Sequence, residues 1–357
     1  MIVKIFITAD FSEDAVERLK AHGHEVRLGG WGINCKILGE DELIKEIGDS
    51  EVLMVGYEPI TPKVLNETYL KVICSIRGGP QANIDIVYAT KLGIPVIYTK
   101  GREAIPVADF TFGQIIGLTR RIVQTDRELR AGKFTLDVKK FGSKKDVIWD
   151  MSADGPWQSR KGIELAGKTL GLVGFGTVGQ AVARRAQGFE LRVLAYDPYV
   201  PETVFQANGA NRSDLETLLK ESDIVSIHVM ASEKNRGMIG EKEFALMKKG
   251  AFLINNARAS IVDEQAMRKA ILSGKLGGAA LDVHHHEPIR SDDELFALEN
   301  VVLTPHIAGA GLEVIYRHSN MLVDDLLRLL EGKLPKVVYN PEVLKGNNRL
   351  NIIIQEA

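Results

Sequence analysis

A glycine-rich turn between an apolar run and a helical stretch constrains this chain most strongly. The segment GLVGFGTVGQAVARR places Gly174, Gly176 and Gly179 in a G-x-G-x-x-G pattern. The first glycine permits a tight turn, the second lets the backbone approach a pyrophosphate, and the third lets helix and strand pack closely. Asp197 ends the next apolar run, 23 residues after Gly174, where a carboxylate can accept hydrogen bonds from a ribose 2′-hydroxyl. Together these features predict a dinucleotide-binding Rossmann unit.

The acidic residue after the second strand also favours NAD over NADP. A 2′-phosphate would bring negative charge close to the carboxylate of Asp197. The residues that follow it, DPYVPETV, contain no arginine or lysine to offset that repulsion. The predicted cofactor is therefore NAD.

Short apolar runs alternate with helical stretches in two separate parts of the chain. IVKIFIT, EVLMVG, LKVICSI and IPVIYT lie within the first 100 residues, and TLGLVGFG, LRVLAYDP, IVSIHVM and AFLINNA follow Lys168. Such alternation is typical of βαβ units and parallel sheets. A length of 357 residues also fits two domains of about 150 residues each. The prediction is an α/β protein with two doubly wound parallel-sheet domains.

Two helical stretches indicate that one domain interrupts the other. Residues 106–130 begin with proline and contain no other, which predicts one long helix leaving the first domain. The segment GLEVIYRHSNMLVDDLLRLLEGK has apolar residues at helical spacing and a stop at Gly332, and it predicts a final helix that returns to the first domain. The predicted first domain comprises residues 1–106 and 310–357, and the inserted nucleotide-binding domain comprises residues 107–309.

Residues 131–162 form a long connection with a weak structural pattern. The connection is rich in lysine, glycine and aspartate but contains Trp149 and Trp157. A solvated loop is one reading, yet two exposed tryptophans would be costly. We therefore expect this segment to be a dimerisation arm that packs on a second subunit of a homodimer.

Composition disfavours several classes of protein. The 45 basic and 47 acidic residues give a net charge of −2, with no basic excess for nucleic-acid binding. Two cysteines, Cys35 and Cys74, cannot build a disulfide framework and suggest a reducing compartment. The N-terminus does not resemble a secretory signal, and no apolar run approaches the roughly 20 residues that span a bilayer. We expect a cytoplasmic protein that binds neither membrane nor nucleic acid.

A run of three histidines, His284, His285 and His286, raises the possibility of a metal site. Adjacent residues on an extended segment point to alternate faces, and no other cluster of ligand residues accompanies them. The sequence therefore predicts no metal.

Three segments that follow apolar runs carry groups suited to carbonyl chemistry. These are NNARAS with Arg258, ALDVHHHEP with Asp282 and Glu287, and LTPHIAGAG with His306. The carboxyl ends of parallel strands meet at one edge of a sheet, so all three can reach one site. Arginine offers a fork of donors for a carboxylate, histidine is an acid and base, and a nearby carboxylate would fix its tautomer. Each residue alone is more often structural, and their combination indicates chemistry.

Taken in order, the motifs resemble those of the D-isomer-specific 2-hydroxyacid dehydrogenase family over about residues 50–335. They are GLVGFGTVGQ, AYDP, SIHVMASEKNRGMIG, FLINNARASIVDEQAM, GGAALDVHHHEP and LTPHIAG. The resemblance implies that the interrupted domain is flavodoxin-like and binds substrate, and that the inserted domain binds NAD. It implies that Arg258 binds the substrate carboxylate and carbonyl, that His306 donates the proton, and that Glu287 is the partner of the histidine. The cofactor residues that it implies are Gly174, Gly176, Thr177, Val178, Gly179, Asp197, His228, Val229, Asn256, Ala257, Asp282 and Gly309.

The segment IRGGPQANID, residues 76–85, departs from the loop pattern of that family. Relatives commonly have G-x-G-x-D-N here, and the backbone N–H groups of that loop hold the substrate carboxylate. Gly78 and Gly79 can serve in this way, whereas Pro80 has no N–H to donate. Arg102, in TKGREAIP, is either a contact for a substrate phosphate or, as more often, a solvated charge.

The activity expected from this resemblance is reversible reduction of a small 2-keto acid by NADH to a D-2-hydroxy acid. Formate dehydrogenases share the architecture, but they have glutamine where this chain has Glu287. A second alternative is a non-enzymatic NAD-binding regulator or corepressor of the same fold. Turnover of a 2-keto acid would distinguish this last possibility from an enzyme.

Overall fold

The computed structural model describes residues 1–135, 153–346 and 348–351. The chain divides into two compact units: residues 1–102 with the chain from Gly311 onward, and residues 103–310. The predicted boundary after residue 106 lies four residues from the observed boundary, and the predicted boundary after residue 309 lies one residue from the observed one. Trp149 falls outside the described residues.

The first unit is built on a parallel sheet of five strands in the order β2-β1-β3-β4-β5. Its core strands are continuous apolar runs because helices cover both faces of the sheet. Ile5 and Met54 pack on one face with Leu322, and Phe6 and Leu53 pack on the other. The strands are β1 Lys4–Ile7, β2 Glu25–Leu28, β3 Val52–Val55, β4 Val72–Ser75 and β5 Val96–Tyr98. The helices are α1 Glu13–Ala21, α2 Trp31–Asn34, α3 Glu40–Ile47, α4 Pro62–Glu67, α5 Ile86–Lys91 and, near the C-terminus, α14 Glu313–Leu330.

The second unit is built on a parallel sheet of seven strands in the order β12-β11-β10-β9-β6-β7-β8. The strands are β6 Thr169–Val173, β7 Arg192–Tyr196, β8 Asn211–Arg212, β9 Ile224–Ile227, β10 Ala251–Asn255, β11 Leu276–Leu281 and β12 Val301–Leu303. The helices are α6 Ala104–Thr119, α7 Ile122–Arg130, α8 Pro156–Ser159, α9 Thr177–Gln187, α10 Glu202–Ala207, α11 Leu215–Glu221, α12 Glu241–Leu246 and α13 Glu264–Leu272. Strand order reverses between β6 and β9, and ligands of doubly wound sheets bind outside the carboxyl edge at such a point.

These two sheets confirm the predicted fold class. The first has the flavodoxin strand order, and the second has the Rossmann order extended by one strand. None of the helices in the described parts of the chain is both long enough and apolar enough to cross a membrane.

The prediction of one helix over residues 106–130 is wrong, because the structure has two. Helix α6 ends at Thr119, and Arg121 adopts a left-handed backbone with φ 57° before α7 begins. The N–H of Ile163 donates to the carbonyl oxygen of Thr119 at 3.1 Å. The N–H of a distant segment therefore binds a carbonyl oxygen in the last turn of α6. Neither proline nor glycine stands at the break itself, residues 120–121, to signal it.

Candidate active site

The three candidate catalytic residues follow three neighbouring strands of the second unit. Arg258 follows β10, Glu287 follows β11 and His306 follows β12. These strands are adjacent and parallel, so their carboxyl ends share one edge of the sheet. The structure therefore places all three groups on the edge that the sequence predicts.

Glu287 and His306 form a directly bonded pair. Oε2 of Glu287 lies 2.8 Å from Nδ1 of His306, and Oε1 accepts the backbone N–H of His284 at 3.0 Å. Partial burial raises the pKa of Glu287, but the hydrogen bonds from His306 and from the N–H of His284 outweigh it and leave this pKa lowered. An ionised Glu287 keeps a proton on Nδ1 and leaves Nε2 as the nitrogen available to a substrate.

The backbone of His306 is left-handed, with φ 57°, a conformation that costs free energy in a non-glycine residue. Asp282 holds this turn in place. Its fully buried carboxylate accepts the backbone N–H groups of Ile307 at 3.0 Å and Ala308 at 2.7 Å, and the hydroxyl of Thr304 at 2.6 Å. Asp282, predicted as a cofactor residue, thus lies under the turn that presents His306.

Arg258 presents an exposed guanidinium at the end of β10. Nη1 donates to the carbonyl oxygen of Ala257 at 2.6 Å, and no carboxylate of the described residues forms an ion pair with Arg258. The sequence prediction missed Asn255, which is 2% exposed and bonds to both the N–H of Ala257 and the carbonyl oxygen of Arg258 at 3.1 Å. The motif NNARAS contained this signal, because its first asparagine closes the strand.

The glycine turn has the geometry of a pyrophosphate cradle. Gly174 has φ 99°, and a Cβ there would lie 2.7 Å from backbone atoms of His228 and Val229. A Cβ on Gly179 would lie 2.4 Å from the carbonyl oxygen of Gly174, which explains the close packing of α9. A Cβ on Gly176 would meet nothing within 4 Å. Open space there, at the N-terminus of an eleven-residue helix that begins with Thr177 and Val178, fits a diphosphate.

Asp197 both holds this turn and remains able to bind a ribose. Oδ2 accepts the N–H of Phe175 at 2.9 Å, and Oδ1 accepts the N–H of Tyr199 at 3.0 Å. Each carboxylate oxygen has a further lone pair. The contacts therefore orient the carboxylate without using up its capacity to accept ribose hydroxyls.

The other predicted cofactor residues lie at the same sheet edge. Asn256 is 8% exposed; its Nδ2 donates to the hydroxyl of Thr111 at 3.0 Å, and its buried Oδ1 has no partner among the described residues. An orphaned acceptor at this edge fits a donor group of a bound dinucleotide. The ring of His228 bonds to Ser226 at 2.9 Å, and desolvation lowers the pKa of His228 to about 4, so this ring is neutral near pH 7. Gly309 lies beside the side chain of Glu103.

Gly78 and Gly79 lie in the first unit, after β4, where the chain enters a short 3₁₀ turn at Pro80–Ala82. The structure does not leave Arg102 as a solvated charge, since its Nη1 lies 3.0 Å from Nδ1 of the buried His318. Among the described residues, no group of three histidine, cysteine, aspartate or glutamate side chains is arranged to hold a metal ion.

Comparison with known proteins finds one protein family and several enzymes of similar sequence. The family model "D-isomer specific 2-hydroxyacid dehydrogenase, NAD binding domain" matches residues 112–308. A glyoxylate reductase of Korarchaeum cryptofilum is 35% identical over 344 residues, which are 96% of this chain and 97% of that protein. A glyoxylate reductase of Thermofilum pendens is 39% identical over 85% of this chain and 86% of its own length. The structure of D-lactate dehydrogenase from Escherichia coli superposes with a TM-score of 0.71 at 26% identity, covering 95% of this chain and 99% of that one.

Proposed function

This chain belongs to the D-isomer-specific 2-hydroxyacid dehydrogenase family, and from that premise we propose that it reduces a small 2-keto acid through Arg258, His306 and Glu287. The protein is an NAD-dependent oxidoreductase, and similarity over nearly its whole length to enzymes disfavours a purely regulatory role. The observation that carries the proposal is the 2.8 Å pair of Glu287 and His306 on the same sheet edge as Arg258.

His306 supplies the proton in this reaction. When bound, NADH would supply the hydride for the new C–H bond at the carbonyl carbon. The electron pair of the carbonyl π bond moves to oxygen, and Nε2 of His306 gives that oxygen its proton. Oε2 of Glu287 lies 2.8 Å from Nδ1, so the imidazole keeps its orientation and presents Nε2 to the substrate oxygen. In the reverse direction the neutral imidazole takes the hydroxyl proton.

Arg258 holds the substrate and polarises its carbonyl. Its guanidinium keeps its charge at neutral pH and matches a carboxylate with two parallel N–H donors. Asn255 accepts the N–H of Ala257 and donates to the carbonyl oxygen of Arg258, which reduces the freedom of the turn that carries the guanidinium. We further propose that Gly78 and Gly79 bind substrate through backbone N–H groups of their loop. In this proposal the first unit is the substrate domain and residues 103–310 are the NAD domain.

We propose a homodimer in which residues 131–162 form the contact arm. In the described part of this region, Trp157 is 51% exposed, and Leu129 on α7 just before it is 55% exposed. Large apolar side chains at the surface are common in protein contacts. We also propose that the protein is cytoplasmic, as its two cysteines suggest.

The substrate class is tested with purified protein and a panel of keto acids. Relatives named glyoxylate reductases align along almost the entire chain, which makes glyoxylate the first compound to assay. Hydroxypyruvate, pyruvate, phosphohydroxypyruvate and sugar-derived keto acids complete the panel, each with NADH and with NADPH. NADH-dependent turnover of at least one of them is expected. Failure of the whole panel with folded protein that binds NADH would refute the proposed activity.

Replacing Glu287 with glutamine is expected to lower kcat for reduction by about 10-fold. The neutral amide no longer holds Nδ1 of His306 by a charge-assisted hydrogen bond, and the loss is moderate because both side chains are roughly 40% exposed and solvent screens the pair. The measurement is kcat at saturating NADH and keto acid. The exposed Glu294→Gln change is the matched control, and a parent-like kcat in Glu287→Gln would contradict the assigned role of Glu287.

Replacing Asp197 with asparagine is expected to reduce the preference for NADH over NADPH by about 10- to 100-fold. The change removes the charge that repels a 2′-phosphate, an interaction of about 1–4 kcal/mol at 4 Å depending on solvent exposure, while an oxygen remains to accept a backbone N–H. The ratio of kcat/KM values for the two cofactors measures this effect, and Asp126→Asn on α7 is the control. A parent enzyme that prefers NADPH would overturn the role given to Asp197.

A further inference from the structure

Gln114 is a buried amide on a helix face that is otherwise mainly apolar. It lies in α6 and is 5% exposed, next to the core residues Phe112, Ile115 and Leu118. Its Nε2 donates to the hydroxyl oxygen of Thr304 at 3.2 Å, and its Oε1 has no partner among the described residues. Burying a side-chain amide that makes only one hydrogen bond costs free energy. The burial of Gln114 therefore indicates a role for its hydrogen bond to Thr304.

The direction of this hydrogen bond is fixed by the next one. The Thr304 hydroxyl donates to Oδ1 of Asp282 at 2.6 Å, since an ionised carboxylate can only accept. Thr304 therefore has only its lone pairs to offer Gln114. The chain of donors runs from Gln114 through Thr304 to the buried carboxylate of Asp282, and the bonds in such a chain polarise and strengthen one another.

Asp282 is also the group that holds the turn after His306. It accepts the N–H groups of Ile307 and Ala308, and these contacts enforce the left-handed backbone of His306. A strained conformation of this kind persists only where several surrounding contacts hold it. Gln114 is the residue farthest from the turn in the series of hydrogen bonds that leads to it.

We propose that Gln114 is a positioning residue for His306, acting from α6 through the Thr304 hydroxyl and the Asp282 carboxylate. The inference rests on the proposed role of His306 as proton donor. The Gln114 side chain locks the Thr304 hydroxyl in the rotamer that donates to Asp282, and so keeps the carboxylate oriented toward the turn. Without it the hydroxyl is free to rotate, and the turn relaxes.

The test compares Gln114→Met, which keeps the length of the side chain but removes the donor, with Ile115→Met on the neighbouring buried position. The Gln114 variant is expected to lose about 10-fold in kcat with the KM for NADH changed less than about twofold. In a Thr304→Val background the same change is expected to cost less than about twofold, because the intermediary is already gone. Amide hydrogen exchange at Ile307 and Ala308 in the free protein should become at least about 10-fold faster.

Equal losses in the parent and Thr304→Val backgrounds, or a loss matched by Ile115→Met, would overturn the proposal. So would unchanged exchange at Ile307 and Ala308, a result that does not depend on any substrate. If Gln114→Met does not fold, Gln114→Glu keeps the shape of the side chain and places a second carboxylate near Asp282; parent-like kcat and exchange in that variant would equally refute the role. Absence of turnover in the parent enzyme refutes the proposed activity instead, and the exchange measurement still decides the role of Gln114.

Discussion

Replacing His306 with glutamine is expected to lower kcat for 2-keto acid reduction by about 100- to 10,000-fold, the range usual for loss of a general acid. Glutamine keeps a polar side chain near Glu287 but has no group that can give a proton to the developing alkoxide. The left-handed turn is held by Asp282 through the following N–H groups, so the fold of the loop should survive the change. The KM for NADH should stay within about threefold of the parent value.

The matched control for this variant is His285→Gln, an exposed histidine of the same sheet edge. Its kcat should equal that of the parent. Pre-steady-state measurement of NADH consumption should show that the defect lies in the chemical step and not in product release. Parent-like turnover of His306→Gln would exclude the histidine as proton donor.

Replacing Arg258 with glutamine is expected to lower kcat/KM for the keto acid by about 100- to 10,000-fold. The change removes two charge-assisted hydrogen bonds to the substrate, each worth about 1.5–3 kcal/mol. Binding of NADH should be nearly unaffected, because Arg258 donates only to Ala257 among the described residues. The measurements are steady-state kinetics with the keto acid and fluorescence titration with NADH.

A substrate analogue sharpens the test of Arg258. The parent enzyme should discriminate strongly against the amide of the keto acid, whereas Arg258→Gln should have lost most of that discrimination, since the guanidinium recognises the carboxylate charge. Arg236→Gln, an exposed arginine paired with Glu233, is the control and should behave as the parent. Retained discrimination in Arg258→Gln would place carboxylate recognition elsewhere.

The features that sequence could predict are those set by short stretches of chain. The spacing of Gly174, Gly176 and Gly179 follows from a turn whose φ angle and close contacts admit no side chain at the first and third positions. Asp197 could be anticipated because it closes the next strand. Arg258, Glu287 and His306 could be grouped because parallel strands bring their carboxyl ends to one edge.

The features that sequence could not predict depend on contacts between distant segments. Helix α6 ends at Thr119 because Ile163 bonds to its carbonyl oxygen, and the two lie 44 residues apart in the chain. The bond from Gln114 to Thr304 spans 190 residues. No local pattern marks such partners. Asn255 lies between these two cases. Its position at the end of an apolar run can be read from NNARAS, whereas its hydrogen bonds across the turn cannot.

The central claim is that a hydride passes from NADH to the carbonyl carbon of a 2-keto acid at this site. The most direct measurement uses NADH carrying deuterium at the transferred position, hydroxypyruvate or pyruvate as substrate, and analysis of the product by mass spectrometry and chiral chromatography. The expected product is a D-2-hydroxy acid with one deuterium at C2 for each NADH consumed. An unlabelled product, or a product of L configuration, would contradict the account.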